Sequence, residues 1–313
     1  PPSPPVQRGL LSPMRSVPPT IERPDYARTG VPADRQSRAI RTADEIEAMR
    51  VAGRVAAEAL IEVGRHVRPG ITTDQLDQIG HDAMVAAGSY PSTLNYRSYP
   101  KSLCTSVNEV VCHGIPDSRK LVDGDIVNVD VTAYIGGVHG DTSATFLVGE
   151  VDEDSMALVR ATRAAMHAGI AVTGPNARIY EIGRAIEDTV LPLGYSIVRE
   201  FIGHGIGDQF HTSLQIPHFF DKRNDTVLLP GMTFTVEPMI NIGSHRIGMW
   251  DDDWTVVTAD LQRSAQFEHT ILITEDGHEL LTVPADGVPA EVLFADVQCG
   301  VDPLPSPAAG TTS

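Results

Sequence analysis

Hydrophobic positions spaced three or four residues apart predict four long helices in the central part of the chain. The first begins at Thr42, because Thr42 and Glu45 have the spacing of a capping box, and it ends before Pro69-Gly70. The same spacing predicts further helices at about 73–87, 154–171 and 178–192.

Between and after these helices, β-branched and apolar runs predict strands. The longest run, 125–148, contains Gly136-Gly137 near its middle and is typical of a hairpin. The other predicted strands lie at about 103–112, 196–202, 231–240, 254–258 and 267–273.

The order of helices and strands occurs twice along the chain. The segment 121–124 (Leu-Val-Asp-Gly) is followed six residues later by Asp130, and 228–231 (Leu-Leu-Pro-Gly) is followed six residues later by Glu237. This repeat predicts an α/β protein of two duplicated halves, in which Asp130 and Glu237 face each other across a pseudo-twofold axis.

Potential metal ligands interrupt the apolar pattern of the predicted strands. A buried ionised carboxyl without a partner is costly, and no Lys or Arg lies within five residues of Asp130 or Glu237. Four carboxylates and one imidazole suit divalent ions that prefer oxygen and nitrogen. We therefore predict a metal site, rather than solvent-facing acids at a sheet edge, formed by Asp130, Asp141, His204, Glu237 and Glu268.

The hairpin pattern also predicts how two of these acids meet. A two-residue turn at Ile135-Gly136 would place Asp130 directly opposite Asp141 on one face of the sheet. Two anions at that spacing repel each other unless a cation lies between them.

The histidines differ in their sequence context. His204 lies in Gly-His-Gly-Ile-Gly, where the glycines let the backbone turn sharply and present the ring from a loop. His113 and His211 follow apolar residues; each either donates a proton or hydrogen bond to a reacting carbonyl or is a polar loop residue without a role. No supporting context surrounds His167, His218, His245 and His278.

Charge and proline content divide the chain into three parts. Residues 1–41 contain nine prolines, seven arginines and three acidic residues, so this segment carries +4 in a chain of net charge −17. It is predicted to be either a disordered extension or an arm that docks in an aromatic groove or on an anionic surface. Residues 42–285 are predicted to form the catalytic domain, and 286–313, which lack Lys and Arg, a flexible C-terminal tail.

Composition narrows the class of protein further. The acidic body disfavours binding to DNA. Its charge either serves solubility alone or, in an acidic cleft, would attract a cationic α-amino group. The sequence has no apolar run of membrane-spanning length. Three cysteines cannot form a disulfide framework, which favours a reducing, cytoplasmic location.

Six ordered motifs lie at 108–117, 129–131, 139–143, 203–207, 234–239 and 264–270. Together they closely resemble the motifs of type I methionine aminopeptidases, including the actinobacterial members that carry a proline-rich N-terminal extension. The resemblance covers about residues 41–283 and implies the pita-bread fold, with a curved antiparallel sheet, outer helices and two duplicated halves.

The resemblance implies a dinuclear metal centre in a cytoplasmic enzyme that acts on nascent chains or peptides with a free N-terminal Met. Asp141 and Glu268 would bridge two divalent ions, Mn, Fe, Co or Zn, and a bridging water would attack the carbonyl. Asp130 would complete one ion's shell, and His204 and Glu237 the other's. Glu237 would also shuttle the proton, while His113 and His211 hold the substrate amide. Ribosome docking would fall to residues 1–41.

A methionine pocket is also implied by the resemblance, with room only for a small second residue. Thr93 stands where other members have Cys, and Asp208-Gln209 precede the pocket where smaller or basic residues are common. The implied pocket residues are Tyr96, Tyr99, Cys104, His113, Phe210, His211 and Trp254.

Two alternatives remain open at this level. A proline-specific peptidase of the same fold would carry a His-x-x-Gly-His arrangement, which the chain lacks. A non-catalytic relative that binds ribosomes or other proteins would be expected to have lost ligands, whereas all five are present here.

Overall fold

The computed structural model describes residues 4–34, 37–302 and 305. Short 3-10 helices lie at Asp25–Ala27, Tyr96–Ser98 and Leu191–Leu193. The α-helices of the described residues are α1 (Ala43–Gly64), α2 (Thr73–Ala86), α3 (Glu153–Ala171), α4 (Ile179–Val190) and α5 (Ala290–Leu293).

The strands of the described residues are mostly short, apart from two of ten and eleven residues. They are β1 (Tyr90–Pro91), β2 (Cys104–Val107), β3 (Val110–Cys112), β4 (Ile126–Ile135), β5 (Val138–Val148), β6 (Ser196–Ile197), β7 (Gly203–His204), β8 (Gln215–Ile216), β9 (Thr233–Val236), β10 (Met239–Asn241), β11 (Ile247–Met249), β12 (Val256–Thr258), β13 (Ser264–Gln266), β14 (His269–Ile273), β15 (His278–Leu280) and β16 (Gln298–Cys299).

The four predicted long helices are confirmed, and local caps explain where the first two begin. Thr42 Oγ1 accepts a hydrogen bond from the Glu45 N–H, and the Glu45 carboxylate accepts one from the Thr42 N–H. Thr72 and Gln75 form the same capping box at the start of α2. These reciprocal bonds satisfy N–H groups that a helix start otherwise leaves unpaired.

A central hairpin organises the fold. Strands β4 and β5 pair antiparallel along their whole length, with β1 and β2 on β4, and β16 running parallel to β5. Helix α1 packs against both hairpin strands. All eleven residues of β5 are buried, because β14 also packs against this strand. The hairpin is therefore an interior element on which functional side chains are held rigidly.

The turn of this hairpin lies one residue later than predicted, so the predicted pairing of its strands is wrong. Asp130 pairs with Ser143, and Asp141 pairs with Thr132. The two turn residues are Gly136 and Gly137, with φ of 61° and 79°. A tight turn of this kind requires positive φ at both central residues, which two glycines supply and Ile135 does not. Asp130 and Asp141 thus share a face of the sheet as diagonal neighbours, not as a directly opposed pair.

The N-terminal segment contacts the body at several of its described residues, 4–34 and 37–41, and these contacts argue against the disordered alternative. Arg15 Nε donates a hydrogen bond to the buried carboxylate of Asp77 at 2.6 Å. Tyr26 is 2% exposed, and its hydroxyl donates to the Ser92 carbonyl at 2.6 Å. Of the proline-rich stretch, residues 1–3 lie outside the described residues.

The packed part of the chain also continues past the predicted boundary at residue 285. Helix α5 carries the buried Glu291, and Phe294 packs edge-on against Phe146 of β5 with ring centroids 5.2 Å apart. Strand β16 then extends the central sheet. Residues 303, 304 and 306–313 of the predicted tail lie outside the described residues.

Among the described residues, none of the helices combines the length and apolar character that crossing a membrane requires.

Candidate active site

One large cavity, of about 790 Å³, brings together every site residue that the sequence analysis singled out. The cavity lies beside the central hairpin and the short strands that follow α4. Its lining includes the five predicted metal ligands and the seven predicted pocket residues, namely Tyr96, Tyr99, Cys104, His113, Asp130, Asp141, His204, Phe210, His211, Glu237, Trp254 and Glu268.

The hairpin supplies two carboxylates to this cavity. Thr132 Oγ1 donates a hydrogen bond to Asp141 Oδ1 at 2.7 Å, whereas Asp130 Oδ1 is buried and has no partner among the described residues. Burial raises the pKa of Asp130 to about 6. Burial, together with the charges of Asp130 and Glu237, raises the pKa of Asp141 well above its usual value. The pair cannot be fully ionised at neutral pH without a compensating positive charge.

Glu268 joins this pair from a different part of the chain. An isolated bridge pairs Ser143 with Glu268, and Thr142 Oγ1 donates to the Glu268 carbonyl at 2.8 Å. Thr270 Oγ1 donates in turn to the Asp141 carbonyl at 2.8 Å. Glu268 Oε1 is buried without a partner in the described chain. Burial and the neighbouring carboxylates raise the pKa of Glu268 well above its usual value.

His204 and Glu237 complete the cluster. His204 Nε2 lies 3.7 Å from Asp141 Oδ2 and 3.6 Å from Glu237 Oε1. Glu237 receives hydrogen bonds from Thr235 Oγ1 at 2.6 Å and Gln266 Nε2 at 3.2 Å. Burial nevertheless raises the pKa of Glu237 to about 8 and lowers the pKa of His204 to about 4.

The chemistry of this donor set fits a divalent cation. Ligand atoms of Asp141, His204 and Glu268 all lie within 4.8 Å of one another. Two carboxylate oxygens, on Asp130 and Glu268, are buried without a hydrogen bond from the described residues. Oxygen and neutral imidazole nitrogen are ligands of Mn, Fe, Co and Zn. A bound cation would supply the positive charge that the buried carboxylates require.

Two further histidines face the same space. His113 has a left-handed backbone, with φ of 56°, and its ring lies edge-on to Phe201 and Trp254 at 5.3 and 5.7 Å. Burial lowers the pKa of His113 to about 4, so the ring is neutral at pH 7. The His211 ring lies 4.0 Å from that of His204. A non-glycine residue is strained at positive φ, and such strain is concentrated at functional sites.

Aromatic side chains and a thiol form the apolar end of the cavity. Tyr99 lies edge-on to Trp254 with centroids 5.0 Å apart, and Tyr96 lies 4.8 Å from Phe210. Burial raises the pKa of the Cys104 thiol well above its usual value, so it remains uncharged. A flexible apolar side chain, in particular a thioether, packs favourably in such surroundings.

Two of the residues that differ from the family pattern, Thr93 and Asp208, have identifiable partners in the structure. Thr93 lines the cavity, and its hydroxyl donates to the Lys101 carbonyl at 3.2 Å. Asp208 accepts a hydrogen bond from Arg41 at 2.9 Å. The extra acid before Phe210 is therefore partly neutralised by a buried arginine.

Several supporting residues were missed by the sequence analysis. Thr132 and Thr235 donate directly to the candidate ligands, and His218, which the sequence gave no role, accepts the Glu237 N–H at 3.0 Å. Residues two positions apart in a strand point to the same side. The position of Thr235, two residues before Glu237 in an extended segment, could therefore have identified it as a neighbour of that ligand. Nothing local identifies His218, because its partner is 19 positions away.

Antiparallel strands and outer helices around a carboxylate-and-imidazole centre define a class, the metallopeptidases of family M24. Residues 47–275 match the model of "Metallopeptidase family M24". The protein is 53% identical over 276 residues to methionine aminopeptidase 2 of Mycobacterium tuberculosis, covering 88% of this chain and 96% of that protein. It is 49% identical to methionine aminopeptidase 1A of Arabidopsis thaliana, covering 89% and 71%.

Solved structures agree in fold. A methionine aminopeptidase from Rickettsia prowazekii superposes with a TM-score of 0.76 at 44% identity, covering 78% of this chain and 99% of that one. A prolidase from Pyrococcus furiosus, at 21% identity and a TM-score of 0.63, shows a likeness in fold alone. The chain thus belongs to metallopeptidase family M24 and, within it, to the methionine aminopeptidases, and it has their pita-bread fold.

Proposed function

We propose that this protein is a type I methionine aminopeptidase that removes the N-terminal Met from peptides and nascent chains with a small second residue. The names of its relatives support the reaction. The observation that carries the proposal is the union, in one cavity, of a carboxylate-and-histidine centre with an apolar, aromatic pocket. The first suits hydrolysis, and the second suits a methionine side chain.

We propose two divalent ions, with Asp141 and Glu268 shared between them. Asp141 supports this assignment because its carboxyl interacts with that of Asp130 and lies 3.7 Å from His204 Nε2. Asp130 would then hold one ion, and His204 with Glu237 the other. When bound, the ions would supply Lewis acidity, which lowers the pKa of water and polarises a carbonyl.

Glu237 is proposed as the proton acceptor and shuttle. Burial raises its pKa to about 8 in the metal-free protein, and this affinity for a proton supports the role. A group whose pKa lies near the working pH transfers protons most effectively. Hydrogen bonds from Thr235 and Gln266 leave its position fixed while the proton moves.

His113 and His211 are proposed to hold the substrate amide and to stabilise negative charge on the scissile carbonyl oxygen. A neutral imidazole can donate one hydrogen bond, and burial keeps His113 neutral because it lowers the pKa to about 4. The aromatic contacts of His113 with Phe201 and Trp254 fix the ring. Its orientation therefore requires no adjustment when the substrate arrives.

The methionine side chain is proposed to occupy the apolar end of the cavity, between Tyr99, Trp254 and Tyr96, with Cys104 at its base. The free α-amine would lie near Asp130, whose Oδ1 is buried without a hydrogen bond from the described residues. An acetylated amine would lose this interaction, so the enzyme would act only at a free N-terminus.

The site of action is proposed to be the cytoplasm, close to the ribosome. Support comes from the arginine-rich character of residues 1–41. Arg15 and Arg41 bind acidic side chains of the body itself. Docking would therefore fall to solvent-exposed arginines such as Arg28 and Arg38.

Metal reconstitution tests the proposal. Protein stripped of metal is loaded separately with Mn, Fe, Co or Zn and assayed on Met-Ala-Ser, Met-Leu-Ser and N-acetyl-Met-Ala-Ser. We expect turnover of the first peptide only, with at least one metal, and no turnover after chelation. Cleavage of the acetylated peptide, or equal cleavage of Met-Leu-Ser, would contradict the proposed selectivity. Absence of turnover with every metal would refute the proposed reaction.

A further inference from the structure

His218 is fully buried and contacts the backbone of one proposed ligand, Glu237, without lining the cavity itself. Its Nε2 accepts a hydrogen bond from the Glu237 N–H at 3.0 Å. The backbone of Gly203 lies on the same side of the ring, because a Cβ at Gly203 would come within 3.2 Å of that nitrogen. His218 therefore lies between the chain segments that present His204 and Glu237.

The acceptor matters because of where Glu237 lies in the chain. Strand β9 ends at Val236, and Pro238 follows Glu237. A backbone N–H in a buried place needs an acceptor, and His218 provides it. The bond fixes the point at which the chain leaves the strand, and with it the direction of the Glu237 side chain.

A second set of hydrogen bonds links the two ligands through Thr235. The His204 N–H donates to Thr235 Oγ1 at 3.0 Å, and Thr235 Oγ1 donates to Glu237 Oε1 at 2.6 Å. Thr235 thus holds the carboxylate, and His218 holds the backbone of the same residue. Outer contacts of this kind orient metal ligands and affect affinity.

The hydrogen bond also decides the tautomer of His218. Since Nε2 accepts, a neutral ring carries its proton on Nδ1, which is buried without a partner in the described part of the chain. An aliphatic side chain would fill this space without an unpaired N–H. It would, however, leave the Glu237 N–H without its acceptor.

We propose that His218 is a positioning residue of the metal centre, which acts through the Glu237 backbone to hold Glu237 and His204 at the separation that one ion requires. The inference rests on the proposed function. It adds a residue that neither touches substrate nor binds metal, but on which the geometry of two ligands depends.

Two variants separate positioning from packing. His218→Leu removes the acceptor, whereas His218→Gln retains one, because its amide oxygen reaches the place of Nε2. His81→Leu is the matched control, since His81 is also buried but bonds to Ser102 and Ser16, outside the cavity. Mn²⁺ affinity is measured by calorimetry, and kcat and KM on Met-Ala-Ser by steady-state assay, alongside the Tm of the metal-free protein.

For His218→Leu we expect Mn²⁺ affinity and kcat to fall about 10- to 100-fold, with KM nearly unchanged, because the methionine pocket is untouched. His218→Gln should recover most of the loss. His81→Leu should lower Tm without changing Mn²⁺ affinity. Wild-type Mn²⁺ affinity and kcat in His218→Leu would overturn the inference. Failure of the wild-type protein to bind any of Mn, Fe, Co or Zn would refute the proposed function instead.

A measurement on the wild-type protein decides the matter if His218→Leu does not fold. In protein with ¹⁵N-labelled histidine, the ring nitrogen shifts of His218, assigned by their loss in His218→Gln, report the tautomer. A proton on Nδ1 agrees with the inference. A proton on Nε2 would overturn it, because that nitrogen could not then accept the Glu237 N–H.

Discussion

His204 Nε2 and Glu237 Oε1 face each other at 3.6 Å, and both atoms are acceptors. The Gly205 carbonyl, 3.2 Å from His204 Nδ1, places the ring proton on Nδ1. Burial lowers the pKa of His204 to about 4, so the ring is neutral at pH 7. Two facing lone pairs are favourable only with a proton or a cation between them. A proton and a metal ion therefore compete for this position.

Binding of Mn²⁺ should release protons at pH 7. Burial raises the pKa of Glu237 to about 8 and the pKa of Asp130 to about 6, and a metal ion requires both carboxyls deprotonated. Calorimetry in buffers of different ionisation enthalpy should show about one proton or more released per protein. Enthalpies independent of the buffer would contradict these raised pKa values.

The same shifts give the pH dependence of stability. Both folded pKa values lie above the unfolded values of 3.8 and 4.5. The stabilising effect of these carboxyls is therefore complete below about pH 4 and is lost as pH rises through about 6 and then about 8. The increase in Tm caused by Mn²⁺ should grow between pH 6 and 8. A Mn²⁺-induced increase in Tm that becomes smaller from pH 6 to pH 8 would contradict this prediction.

Replacing Asp141 with Asn, or Glu268 with Gln, should abolish metal loading and peptide turnover together. We expect metal affinity and turnover to fall by more than the ~10–100-fold that is typical when a residue outside the ligand set is replaced. The metal-free variants should be no less stable than the metal-free wild type, because a repelling carboxylate is removed. Calorimetry and thermal unfolding check both parts. The exposed Glu275→Gln serves as control, and wild-type turnover in either variant would remove that residue from the centre.

Arg15→Met should destabilise the fold by about 2–4 kcal/mol, because it leaves the buried Asp77 carboxylate with backbone partners only. Denaturant unfolding measures the loss. Arg28→Met, at an exposed position, should change stability by less than about 0.5 kcal/mol. Equal effects in both variants would show that the N-terminal segment contributes nothing to stability through this pair.

Phe294→Ala should cost about 3 kcal/mol, since Phe294 is 7% exposed and packs on Phe146. Val292, which is 53% exposed, provides the matched control, with an expected change in Val292→Ala below about 0.5 kcal/mol. Chemical unfolding of both variants distinguishes a packed C-terminal segment from a flexible one. Unchanged stability in Phe294→Ala would instead support the predicted end of the packed domain at residue 285.

The sequence predicts best where the physical cause is local. Helix α1 begins at Thr42 because the capping groups are three residues apart. Acidic residues within apolar strands indicate a metal site because burial of a charge is costly wherever the strand lies. Short strands such as β7 and β8 have no recognisable periodicity, since two residues cannot show one.

By itself, then, the sequence predicted which side chains would carry the chemistry, and it determined which segments form helices and long strands. The tertiary structure decided how those side chains meet. The positive φ of two glycines places the hairpin turn at Gly136-Gly137, and Asp130 and Asp141 are diagonal neighbours as a result. Thr142 and Glu268 were joined across 126 positions. Packing also held Arg15 and Phe294 on the body. Contacts between distant segments depend on the shapes of all the intervening turns, which no local pattern specifies.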